Sequence, residues 1–124
     1  MRAILLAFVL AVVQAPQAIV WGGDHVEMEV TDRDARLEFD CAHGTMDEPL
    51  RVDAGGAFEV KGTFVPERGG PSREGDASRG FKATYAGTIS GDTMMLRIVV
   101  DGQDPKGTAY QLTRDRRGNV RKCR

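Results

Sequence analysis

From Val26 onward, apolar residues recur at every second position. This is the spacing of a pleated strand with one buried face, and it leaves little room for helix. Val26, Met28 and Val30 share one face, with Glu27 and Glu29 on the other. Leu37, Phe39 and Cys41 alternate with Arg36, Glu38 and Asp40. Leu50 and Val52 mark a short strand. Phe58, Val60, Gly62 and Phe64 alternate with Glu59, Lys61 and Thr63. Phe81, Ala83, Tyr85, Gly87 and Ile89 form a further face, followed by Met94, Leu96, Ile98 and Val100, and then by Thr108, Tyr110 and Leu112. A last strand is expected over 119–123, with a bulge or strand end between Val120 and Cys123 because their parities differ. Phe58, Phe64, Phe81, Tyr85, Leu96 and Ile98 are the expected core.

The segments between these runs have turn chemistry. Gly91-Asp92 is a two-residue hairpin loop with glycine where a type II′ turn needs it. Its register sets Ser90 opposite Thr93 and Ile89 opposite Met94, both inward. Asp32-Arg33-Asp34, Asp53 to Gly56 and Asp115 to Gly118 are further tight turns, and Asp101 to Gly107 is a longer one. Pro66 to Arg79 is a Gly-, Ser- and charge-rich loop. Fifteen glycines and five prolines suit this many reversals. The reading is all-β: an antiparallel up-and-down meander of about eight strands, closed or nearly closed into a barrel. A twisted open sheet or a small sandwich is the alternative.

Residues 3–13 are an unbroken apolar run behind Met1 and Arg2. It is too short to span a bilayer, and Gln14, Pro16 and Gln17 end it. The pattern is that of a signal peptide over 1–22, forming a signal helix and cleaved between residues 15 and 23. A single β domain over 23–124 follows. The product is expected to be exported, periplasmic or secreted. Cys41 and Cys123 are the two cysteines, and in an oxidising compartment an even pair predicts a disulfide. Cys41 ends the second expected strand and Cys123 the eighth, so both fall at one rim.

Three motifs carry a resemblance: F-D-C-A-H-G-T-M-D-E-P-L (39–50), P-E-R-G-G-P (66–71) and Y-A-G-T-I-S-G-D-T-M (85–94). Through them the chain resembles a group of small exported bacterial proteins of unassigned function. The layout is also similar to lipocalin-like (calycin-type) barrels. Neither likeness implies an activity or a functional residue.

The chain is 28% charged with a net charge of −1. A nucleic-acid binder or a polybasic membrane-surface protein would be strongly basic. No G-x-S-x-G, Walker or H-E-x-x-H pattern occurs, so no catalytic residue and no cofactor is assigned. Strand parity sets His25 outward and His43 inward, which separates the two histidines and argues against a metal site. Polar groups concentrate around Cys41, and Asp40, His43, Asp47 and Glu48 are the candidate binding residues. The loop 67–79 is a second candidate. The expected function is binding without catalysis: an exported protein that engages an exported protein partner through rim loops on a disulfide-tied scaffold. The alternative is a carrier holding a small lipophilic ligand inside the barrel.

Overall fold

The computed structural model describes residues 3–11, 18–67 and 80–123. Eight antiparallel strands close into a barrel in chain order. They are β1 (Ile19–Gly23), β2 (Val26–Val30), β3 (Ala35–Phe39), β4 (Ala42–Met46), β5 (Ala57–Pro66), β6 (Phe81–Ser90), β7 (Thr93–Val100) and β8 (Thr108–Arg114). Closure comes from β1 pairing with β8 at Trp21–Arg114 and Gly22–Thr113. There is no helix among the described residues. The expected signal helix is not formed over Ala3–Ala11, which has no regular structure and is exposed.

The strands are not all the expected ones. Ile19–Gly23 is β1, paired residue by residue with β2, so the barrel begins before residue 23. Ala42–Met46 is β4, whereas Leu50 and Val52 lie in the connection to β5. Residues 119–123 form no strand and contribute a single bridge, Asn119 with Asp24. The expected 66–79 loop lies outside the described residues, except for Pro66 and Glu67. The β6–β7 hairpin has the expected register, Ile89 opposite Met94, with Gly91 at φ 58°.

Inward side chains fill the barrel. Phe39, Tyr85, Met28, Leu37, Met46 and Met94 are fully buried. The Tyr85 hydroxyl donates to Thr63 O at 2.6 Å, which satisfies the polar end of a buried ring. Burial pushes its ionisation up, and the charge of Asp47 adds to this. Of the expected core, Phe58, Tyr85, Leu96 and Ile98 are buried, and Phe64 packs partly against them. Phe81 is a correction. It opens β6 opposite Phe64, beyond the last packed layer, and is 42% exposed.

Candidate functional site

After β8 the chain reverses at Asp115, which takes a φ of 58°. It then returns over the outer face of the barrel. We call residues 115–123 the strap. It crosses β1 at Gly22, where a Cβ would fall 2.2 Å from Arg116 O. Only glycine permits that approach. The strap is then stitched to two neighbouring hairpin turns. His25 and Cys41 each adopt a left-handed φ, of 70° and 53°. Each donates its backbone N–H to the strap, His25 to Asn119 O at 2.8 Å and Cys41 to Arg121 O at 3.2 Å. Such a conformation costs energy in non-glycine residues and persists where the surroundings over-determine it. The Cys41–Cys123 disulfide fastens the end of the strap.

Ionisable side chains gather along this seam. His25 Nδ1 lies 2.5 Å from Asp40 Oδ2, and Arg121 N–H donates to Asp40 Oδ1 at 2.7 Å. The backbone N–H of Arg121 and the contact with His25 hold the Asp40 carboxyl below its ordinary value. His43 Nδ1 donates to Glu67 Oε1 at 2.9 Å. Lys122 Nζ pairs with Glu38, reaches Glu67 Oε2 at 3.0 Å and donates to Ala42 O at 2.7 Å. Partial burial pushes the Glu67 carboxyl up, but its bonds to Lys122 and His43 outweigh this and lower it. Burial likewise opposes the charge on Lys122, and its bonds to Glu38 and Glu67 raise its pKa. Exposed pairs of this kind fix geometry more than they stabilise.

The four candidate residues do not converge. Asp40 sits in the β3–β4 turn and His43 one step into β4. Asp47 and Glu48 follow the far end of β4, roughly 15 Å away at about 3.3 Å per residue. Asp47 accepts from the Thr45 hydroxyl at 3.1 Å. His43 faces outward, contrary to the expected parity. Phe39 pairs with Ala42 across the turn and both point in, so His43 stands opposite Glu38 on the outer surface. Sequence reasoning missed His25, Glu38, Glu67 and Lys122 as members of one cluster. The basic run Arg116-Arg117 and Arg121-Lys122 was the available signal, in a chain that is otherwise net acidic.

No family model, curated protein or solved structure matches the chain.

Proposed function

We propose that this protein is exported and acts by binding a protein partner, without catalysis, at the rim where the strap meets the β1–β2 and β3–β4 turns. The observation that carries this reading is the division of the molecule into a filled interior and a polar seam. Inward side chains occupy the barrel, which supports a rim site over a ligand carried inside. The seam gathers His25, Asp40, His43, Glu67 and Lys122 on elements fixed by the disulfide. A pre-ordered surface loses less entropy on binding. The disulfide is also what an exported protein of this size would use.

The test is affinity capture from envelope extract of the source organism with wild type and a His43→Ala/Glu67→Gln variant. A discrete partner retained by wild type and lost from the variant, at unchanged melting temperature, is the expected result. Equal capture by both would move the site elsewhere. Turnover of a substrate by the purified protein would overturn the reading.

A further inference from the structure

β8 pairs with β7 from Thr108 to Thr113 but meets β1 only at Thr113 and Arg114. β1 stops at Gly23 and turns into β2. The far edge of Thr108–Tyr110 therefore faces no strand among the described residues. Such an edge presents backbone N–H and C=O groups that a further strand can pair with. It opens on a groove of about 850 Å³. Asp24, His25 and Asp40 line the groove, and Arg116 and Arg117 of the strap line it as well. Asp40 is already engaged by His25 and the Arg121 N–H. Arg116 and Arg117 form no ion pair among the described residues, and neither does Asp24. Among the described residues, two cations against one carboxylate remain uncommitted, so the groove favours an anionic occupant. The strap that supplies them is itself held by the disulfide and two turn N–H groups, so both arginines sit on an anchored element.

We propose that this groove takes a short acidic peptide segment in extended form. The segment adds as a strand to the Thr108–Tyr110 edge and places a carboxylate side chain at Arg116 and Arg117. Main-chain pairing would supply affinity, and the arginines would select the side chain. This assignment rests on the binding reading above and names the chemistry of the partner.

The probes are three capped hexapeptides: alternating threonine and glutamate, alternating threonine and lysine, and the glutamate peptide N-methylated at every second amide. Binding is followed by amide chemical shifts of the full-length, disulfide-bonded protein. The glutamate peptide is expected to shift the Thr108, Ala109 and Tyr110 amides. The lysine and N-methylated peptides should each bind at least about tenfold more weakly, as should the glutamate peptide to R116E/R117E. Both arginines are exposed, and the wild-type amide spectrum away from the groove checks that the variant is folded. Equal affinity for the N-methylated peptide would overturn strand addition and leave a plain anion patch. No shift at millimolar glutamate peptide, or a self-dimer formed through the same edge, would overturn the assignment outright. Envelope capture that persists while the peptides fail would sink the groove alone and leave the rim reading standing. Failure of capture by wild type would count against the rim reading whatever the peptides do.

Discussion

The Lys122 ammonium lies 3.0 Å from Glu67 Oε2, although 55 positions of chain separate the two residues. The strap brings them together. Between them they tie the C-terminal segment to the end of β5, and Lys122 also holds Glu38 on β3. The closure of the barrel is thin, two register positions between β1 and β8, and the strap lies over that seam.

Strap attachment should depend on pH at both ends of the scale. Asp40 and Glu67 have native pKa values below their ordinary 3.8 and 4.5. Their contribution is present above those values and is lost as pH falls through the lower native ones. Lys122 is raised above 10.5, so its contribution is present below that and is lost as pH rises through the native value. Amide exchange or chemical shifts of Asn119 to Lys122 should report a fastened strap at neutral pH and one that loosens as pH falls through the lowered native values of Glu67 and Asp40. Strap amides unchanged down to pH 2 would contradict it.

The disulfide should contribute more to stability than the ion pairs. Cys41 and Cys123 lie 82 positions apart. The chain-entropy relation gives about 4.5 kcal/mol for a loop of that size. A Cys41→Ser/Cys123→Ser variant should show an unfolding free energy, from denaturant titration, lower by an amount of that order. A loss below about 1 kcal/mol would mean that the strap's hydrogen bonds hold it without the bridge.

Two phenylalanines should behave differently. Phe39 is buried and packs on Phe64 and Tyr110, with ring centroids 5.6 and 5.4 Å away. Phe39→Ala should cost about 3–5 kcal/mol. Phe81→Ala, at the exposed start of β6, should cost less than about 1 kcal/mol. Equal losses in urea denaturation would show that Phe81 is covered in solution.

Gly22→Ala should act on the strap. The added carbon meets Arg116 O, a backbone atom that can yield only if the strap or β1 shifts. A loss of about 1–3 kcal/mol is expected, as for overpacking elsewhere, with faster amide exchange at 116–119. An unchanged melting curve would mean that the strap does not lie on β1.

If the chain is exported as proposed, processing must spare β1. Trp21 is 4% exposed in the core, and Ile19–Gly23 pairs along its whole length with β2. The mature N-terminus should therefore fall at or before Ile19. N-terminal sequencing of the exported protein checks this. A start beyond Trp21 would require a barrel closed without β1.

Where alternation was strong and each turn local, the chain spelled out its own fold. The faces of β2, β3, β5 and β7, the Gly91-Asp92 hairpin and the pairing of the two cysteines could all be read from residue type and period, because each depends on near neighbours or on a count of two. β4 was hidden because two of its three inward positions, all but Met46, are small. Ala42 and Gly44 carry little apolar signal, and a Cβ on Gly44 would fall 2.1 Å from the Tyr85 hydroxyl that fills its place. β1 was hidden because Ile19, Val20 and Trp21 are a short apolar run that falls within 1–22, the range expected to be a signal peptide. The direction of His43, the separation of Asp40 from Asp47 and the clustering of Glu67 with Lys122 depend on register between strands and on a strap stitched to two hairpin turns. Hydrogen-bond pairing at long range decides these, and it leaves no local period in the sequence.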